Sequence, residues 1–233
     1  MSGEKKSAFD PPRFFTRLKR SIRKRVLFRK FGEDWNASRP AFQNRSYHSY
    51  AAYLEHQKSK LETHDFADYD VAFRNALRER LAALDIAWRG RTVLCLAARI
   101  GTEVKAFLDL GCFAIGIDLN PGKENRYVVY GDFHDLQYAA KSVDVVYTNS
   151  LDHAFDIERI AREALKVLKT DGLLIVEAVQ GRDQGIKPGF FESFFWKNID
   201  ELVRVFENAG FKVTRRTEIK HPWPGDAICF QPS

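Results

Sequence analysis

The chain has 233 residues, of which 45% are hydrophobic and 29% are charged, which suits one globular domain with an extension and excludes a repetitive or low-complexity protein. No uncharged apolar run approaches the roughly 20 residues of a membrane span, so we expect a cytoplasmic protein. Residues 1–31 contain eleven of the 37 Lys and Arg residues but only two of the 31 Asp and Glu residues. The net charge of this segment is therefore +9, and that of the remainder is −3.

The basic segment has the pattern of an amphipathic helix. Phe14, Leu18, Ile22 and Val26 recur every fourth residue among cations, which predicts a helix over residues 13–31. Three interpretations stay open: a helix packed on the domain by this apolar stripe, a contact with an anionic membrane surface, or a contact with nucleic acid. The second would make the protein peripheral to the inner face of a membrane.

Two further helical patterns cover about residues 46–61 and 69–84, after a loop-like stretch at 32–46. We predict that residues 1–65 form a basic, mostly helical extension. Residues 66–233 are predicted to form the main domain.

From residue 91 the pattern alternates between strands and helices. We predict strands at about 92–97, 112–118, 126–131, 143–148, 172–178, 211–219 and 226–231, and helices at about 102–110, 155–169 and 199–209. Gly111, Gly172 and Gly210 follow these helices and are predicted to end them. The fold class is α/β, because strands separated by helices predict a parallel sheet.

The last two predicted strands are joined by residues 221–225 alone, too few for a helical crossover, so they should pair antiparallel. We therefore predict a Rossmann-like, doubly wound, mostly parallel seven-stranded sheet with a C-terminal antiparallel hairpin. Cys95, Cys112 and Cys229 all lie in apolar stretches, which is typical of buried thiols in a reducing compartment. We predict no disulfide and no metal site.

Residues 93–120 carry the clearest functional signal. They form a predicted strand, a turn of small residues, a helix, and a second strand that ends at Asp118. Such a turn lets backbone approach a ligand, and a carboxylate at a strand end can accept hydrogen bonds from both hydroxyls of a ribose. The arrangement predicts a nucleoside site at the carboxyl ends of the strands.

Residues 66–233 resemble the class I S-adenosylmethionine-dependent methyltransferases, and among them the methyltransferase type 11 group. The motifs that carry the resemblance lie, in the family's order and spacing, at residues 93–101, 116–119, 131–136, 143–150 and 164–177. The resemblance implies S-adenosyl-L-methionine as cofactor and methyl transfer to an oxygen or nitrogen. It also implies cofactor contacts from Asp118 and Leu119, Asp132 and Phe133, and Asn149.

The first motif departs from the family pattern. Cys95 replaces its usual acid, Ala97 and Arg99 replace two of its glycines, and Gly101 alone remains. A left-handed Ala costs about 1 kcal/mol, so we expect either an ordinary φ at Ala97 or a different path of the loop. We expect Arg99 to pair with the methionyl carboxylate of the cofactor, and Glu103 to replace the missing acid at its ammonium group.

Two further features bear on the acceptor. Asp152 and His153 follow the fourth strand, where either is a candidate general base or a structural residue at the start of the next helix. Residues 180–198 contain five aromatic side chains and either close the acceptor pocket as a lid or cover the sheet as a hydrophobic flap.

Three functions remain open. The first is an enzyme that methylates a small molecule, a lipid-linked glycan or a saccharide. The second is an RNA methyltransferase guided by the basic segment, although the fourth strand ends Thr148-Asn149-Ser150 and lacks an Asn-Pro-Pro-Tyr-type tetrapeptide. The third is a methyltransferase-like binding module without turnover, since the first motif is altered.

Overall fold

The structure, a computed structural model, describes residues 11–32, 34–63 and 67–233. Its helices are α1 (Pro11–Phe31), α2 (Tyr50–Lys58), α3 (Lys60–Thr63), α4 (Ala67–Ala82), α5 (Thr102–Asp109), α6 (Ile157–Val167) and α7 (Ile199–Asn208). Its strands are β1 (Trp35–Arg39), β2 (Phe42–Arg45), β3 (Thr92–Leu96), β4 (Phe113–Asp118), β5 (Val128–Tyr130), β6 (Val143–Thr148), β7 (Leu168–Val179), β8 (Phe194–Trp196), β9 (Phe211–Ile219) and β10 (Gly225–Pro232).

Seven strands form the main sheet in the order β5-β4-β3-β6-β7-β10-β9. The first four pairings are parallel, and β10 runs antiparallel to both β7 and β9. This confirms the predicted α/β class, the mostly parallel sheet and the C-terminal hairpin. The parallel strands place their carboxyl ends at one edge, where the chain turns from Leu96, Asp118 and Thr148 into loops.

The sheet is covered on both faces because its central strands are apolar on both sides. Leu94 and Leu96 of β3 pack into a core beneath α6 and α7. Val93 and Cys95 pack into the opposite core beneath α4 and α5. All three cysteines are free and buried, as predicted.

A second sheet, β1-β2-β8, corrects the prediction that residues 32–46 form a loop. Phe42 pairs with Trp196 and Asn44 with Phe194, so β2 finds its partner about 150 residues away in sequence. The short, polar β1 and β2 have no apolar alternation of their own, so the local pattern cannot reveal them. Through this sheet, residues 35–45 are joined to the segment between β7 and α7.

The predicted helix end near Gly172 is wrong. Helix α6 ends at Val167, where Leu168 takes an extended conformation and begins β7 opposite Val143. Tertiary pairing with β6 thus outweighs the helical propensity of residues 168–169. The predicted glycine ends at Gly111 and Gly210 are confirmed, with φ of +81° and +102°.

Helix α1 confirms the helix predicted for residues 13–31, but a different face of it is buried. Leu27 and Phe31 are 6% and 9% exposed, whereas Ile22 and Val26 of the predicted stripe are 53% and 58% exposed. The side chains of Phe14 and Leu18 lie outside the described part of the structure. Among the described residues, no helix combines the length and apolar character needed to cross a membrane.

Candidate active site

The turn after β3 keeps a left-handed backbone at three alternate residues. Ala97, Arg99 and Gly101 have φ of +53°, +45° and +81°. The expectation of an ordinary φ at Ala97 or a different loop path is therefore wrong. A Cβ at Gly101 would lie 2.6 Å from Tyr127 Cβ, which explains why glycine is needed there. At the other two positions the chain accepts the strain of a side chain on a left-handed residue.

An Ala97→Gly variant is expected to be more stable than the wild-type protein by about 1 kcal/mol, because it relieves this strain. Thermal unfolding should show a rise of about 2–4 °C in Tm for a domain of this size. Ala98→Gly is the matched control: Ala98 is 2% exposed and has no positive φ, so that variant should lose stability. A lower Tm for Ala97→Gly would contradict the assignment of strain to Ala97.

Asp118 ties this turn to the end of β4. Its Oδ2 accepts a hydrogen bond from the backbone N–H of Arg99 at 3.0 Å. Its Oδ1 accepts one from the backbone N–H of Asn120 at 2.8 Å. Each carboxylate oxygen retains a second acceptor site, so the carboxylate can hold both loops and still bind hydroxyl groups.

Two adjoining cavities open at the carboxyl ends of the strands. The first cavity is lined by Tyr53, Gln57, Lys60, Leu61, Ala97, Arg99, Asp118, Leu119, Asn120, Gly131, Phe133 and His153. The second cavity shares Lys60, Ala97, Arg99 and His153 with the first. It also contains Glu103, Asn149, Asp152, Glu177 and Glu192. An elongated ligand could occupy both cavities across the four shared residues.

Glu103 places a buried carboxylate in the second cavity. Its Oε1 accepts a hydrogen bond from Asn149 Nδ2 at 3.1 Å, while Oε2 is buried with no hydrogen-bond partner among the described residues. Burial raises the pKa of Glu103 to about 7. A buried, unsatisfied carboxylate oxygen is costly unless a cationic or donor group binds it. Cys95, at the position of the family's acid, is fully buried in the sheet.

His153 and Lys60 meet where the two cavities join. His153 Nδ1 lies 2.8 Å from the carbonyl oxygen of Phe191, which can only accept, so Nδ1 carries the proton. Nε2 lies 2.6 Å from Lys60 Nζ. Burial, followed by the nearby cations Lys60 and Arg99, holds the pKa of His153 well below its usual range. The imidazole is therefore neutral, with its Nε2 lone pair accepting from Lys60.

Two carboxylates flank this pair. Asp152 Oδ1 and Glu192 Oε2 are buried and have no hydrogen-bond partner among the described residues. Asp152, His153 and Glu192 offer one ligand atom each within 4.8 Å of one another, a spacing that a metal ion could use. However, the ammonium group of Lys60 already supplies a cation at His153 Nε2. We assign the two carboxylates to that charge and assign no metal.

Burial moves the pKa values of Lys60 and Asp152 toward neutral pH. Burial lowers the pKa of Lys60, with a further decrease from the cation of Arg99. Burial also raises the pKa of Asp152, helped by the carboxylate of Glu192. Groups that exchange protons near neutral pH are suited to acid–base chemistry.

The structure brings most of the predicted site residues into the two cavities, but not Gly101 or Asp132. Asp132 accepts hydrogen bonds from Tyr50 Oη and from the backbone N–H of His134. His134 Nε2 accepts from the backbone N–H of Phe155 at 3.0 Å, so its Nδ1 carries the proton and donates to Asp132 Oδ1 at 2.9 Å. Asp132 thus anchors α2 beside the cavity, and a contact with adenine stays a prediction.

Sequence reasoning missed the wall that α2 and α3 contribute. Tyr53, Gln57, Lys60 and Leu61 line the first cavity. The Lys60–His153 contact joins residues 93 positions apart, so no local motif reports it. Glu192 was missed for the same reason.

Residues 94–176 match the family described as a methyltransferase domain. The match and the fold together support one family for this chain, the class I S-adenosylmethionine-dependent methyltransferases. It is an enzyme family whose cofactor is S-adenosyl-L-methionine. No curated protein sequence matches the chain.

Solved structures share the fold of this methyltransferase at low sequence identity. A Burkholderia thailandensis 1,6-didemethyltoxoflavin N1-methyltransferase, solved with its substrate and S-adenosylhomocysteine, is 15% identical with a TM-score of 0.64; the alignment covers 86% of this chain and 99% of that one. The PH0226 protein from Pyrococcus horikoshii is 17% identical with a TM-score of 0.60, covering 72% and 94%. The mitomycin 7-O-methyltransferase MmcR is 15% identical with a TM-score of 0.59, covering 78% and 60%.

The residues present fit the cofactor. Asp118 has free acceptor capacity in the first cavity for the ribose hydroxyls, and Leu119 and Phe133 offer apolar surface to the adenine. The unsatisfied Oε2 of Glu103 in the second cavity suits the methionyl ammonium group. Arg99 lines both cavities and suits the methionyl carboxylate. These assignments stay predictions that binding measurements can test.

The affinity for S-adenosylhomocysteine is expected to fall as the pH is lowered below 7. Since burial raises the pKa of Glu103 to about 7, acid protonates it, and a ligand ammonium group must then displace that proton. The loss should approach about tenfold per pH unit below the pKa. Calorimetry at acid and neutral pH checks this, with Glu103→Gln as the comparison. An equal pH dependence in that variant would rule out Glu103 as the ammonium partner.

Proposed function

We propose that this methyltransferase methylates an oxygen or nitrogen of a small-molecule acceptor that enters the second cavity. The observation that carries the proposal is the pair of bases at the junction of the cavities, His153 Nε2 and Lys60 Nζ, 2.6 Å apart. An O–H or N–H acceptor must lose a proton when it gains a methyl group. The bound cofactor would supply the methyl group as a sulfonium electrophile.

The chain's own residues would orient the acceptor and remove its proton. The carbonyl of Phe191 holds His153 in the tautomer whose Nε2 carries no proton, and Tyr53 Oη donates to the His153 carbonyl at 3.0 Å. When Lys60 is neutral, either base can accept the proton of the acceptor. Asp152 and Glu192 would stabilise the cation that results. Alignment of the acceptor with the methyl group would supply much of the remaining acceleration.

The lining of the second cavity also supports a small acceptor. Phe195, Trp196 and Trp223 provide flat apolar walls, while Lys187 adds a cation near its rim. Two structural neighbours are named for small-molecule substrates, 1,6-didemethyltoxoflavin and mitomycin.

Transfer of label from methyl-tritiated S-adenosylmethionine tests the proposal. The purified protein is incubated with an extract of its host cells, which is then separated into small molecules and lipids, RNA, and protein. We expect label in the first fraction, dependent on Asp118. Label in RNA would favour the nucleic-acid alternative. Binding of S-adenosylhomocysteine with no transfer to any fraction would favour a binding module without turnover.

A further inference from the structure

Helix α1 has an exposed apolar stripe on the side away from the domain. With 3.6 residues per turn, Ile22 and Val26 lie roughly opposite the buried Leu27 and Phe31. Both are more than half exposed, at 53% and 58%. Burial of Leu27 and Phe31 therefore fixes the helix with its other apolar stripe facing solvent.

The charge of α1 has one sign. Its 21 residues include nine Lys and Arg and no Asp or Glu. Lys19, Lys24, Arg25 and Arg29 are exposed around Ile22 and Val26. Lys30 pairs with Glu55 of α2 at 2.5 Å, which helps to anchor the helix. An apolar stripe flanked by cations is complementary to a surface that offers negative charge above an apolar layer.

We propose that α1 docks on an anionic lipid bilayer, with Ile22 and Val26 inserted among the headgroups and the cations beside them bound to lipid phosphates. A bilayer accounts for the apolar stripe and the charge together. Nucleic acid would account for the charge alone, since its backbone offers phosphates but no apolar layer at the surface.

Helix α1 also contacts the segment 189–192, two residues of which line the second cavity. Phe28 of α1 stacks on Phe190 with ring centroids 5.3 Å apart. Arg45 donates to the carbonyl of Gly32, at the end of α1, and to the carbonyl of Glu192 at 3.0 Å. Gly189 and Glu192 line the second cavity. If the acceptor binds there, as proposed above, a docked α1 would hold this part of the cavity wall beside the bilayer.

Co-sedimentation of the full chain with vesicles tests the docking. One vesicle contains phosphatidylcholine and phosphatidylglycerol in equal parts, and the other contains phosphatidylcholine alone. We expect strong binding to the first and weak binding to the second at roughly 0.1 M salt. Lys24→Gln/Arg25→Gln should weaken binding about fivefold for each charge removed. Ile22→Asn/Val26→Asn should weaken it roughly tenfold or more.

Val71→Asn is the matched control, because Val71 is a 63% exposed valine on helix α4. It should bind the vesicles like the wild-type protein, and all variants should bind S-adenosylhomocysteine equally. Absence of vesicle binding, or equal binding by every variant, would overturn the proposal. So would binding of a single-stranded RNA that depends on the cations but not on Ile22 and Val26. Because vesicle binding needs no cofactor, its loss is distinguishable from failure of the proposed methyl transfer.

Discussion

An Asp118→Ala variant is expected to bind S-adenosylhomocysteine at least about 100-fold more weakly than the wild-type protein. Hydrogen bonds to a charged acceptor contribute about 1.5–3 kcal/mol each, and two ribose hydroxyls would lose theirs. The variant also releases the backbone N–H groups of Arg99 and Asn120, which Asp118 now holds at 3.0 and 2.8 Å. Isothermal calorimetry measures the loss directly.

Asp171→Ala is the control for Asp118, because it removes an exposed carboxylate far from the cavities and should leave the affinity unchanged. Asp118→Asn separates charge from shape. Its amide keeps one acceptor oxygen but turns an N–H toward one of the two backbone donors, so it should also bind weakly. Affinity within about threefold of wild type for Asp118→Ala would rule out the ribose contact, since a lost charged hydrogen bond exceeds that.

The second large effect concerns His153 and Lys60, the two proposed proton acceptors at the junction of the cavities. With the acceptor found by label transfer, His153→Gln should lower kcat by about 10²–10⁴-fold, the usual contribution of a positioned base. KM should change little, because the same polar shape remains. If His153 has a structural role alone, the variant should instead have a lower Tm, with kcat preserved in the fraction that stays folded.

We expect the protonation of Lys60 to determine how kcat depends on pH. Only neutral Lys60 can accept a proton, and burial lowers its pKa from the ordinary value, so kcat should rise with pH well below the range where an exposed lysine titrates. Lys60→Met should remove that rise. Lys58→Met is the control, because Lys58 lines neither of the two cavities. Its Nζ lies over the ring of Tyr130 instead, 5.1 Å from the ring centroid. An unchanged profile in Lys60→Met would assign the rise to another group.

The strand and helix pattern from residue 91 onward could be predicted because it depends on local periodicity. Each parallel strand is a short apolar run, and each helix between them has an apolar stripe. Asp118 could be placed for the same reason, since it ends such a run at the edge where the strands terminate. The terminal hairpin followed from the shortness of its connection.

The rest depended on contacts between distant segments. β2 pairs with β8 across about 150 residues of sequence, and Lys60 enters the site through its contact with His153, which follows β6. The backbone of the turn also depends on such contacts: Ala97 has a left-handed φ instead of the ordinary one expected for it, and Asp118 at the end of β4 binds the backbone N–H of Arg99. Propensity is a weak guide where tertiary bonds decide.

Because α2 and α3 form one wall of the first cavity, the lining of the two cavities comes from two parts of the chain. Asp118 at the end of β4 and Glu103 on α5, both predicted to contact the methyl donor, come from the main domain, whereas Lys60 comes from the segment before the sheet. Exchange of that segment between proteins of this fold would therefore replace a base and one side of the acceptor cavity while leaving the donor contacts of the sheet in place. Acceptor choice could then evolve by recombination at the N-terminal end, without remodelling the strands.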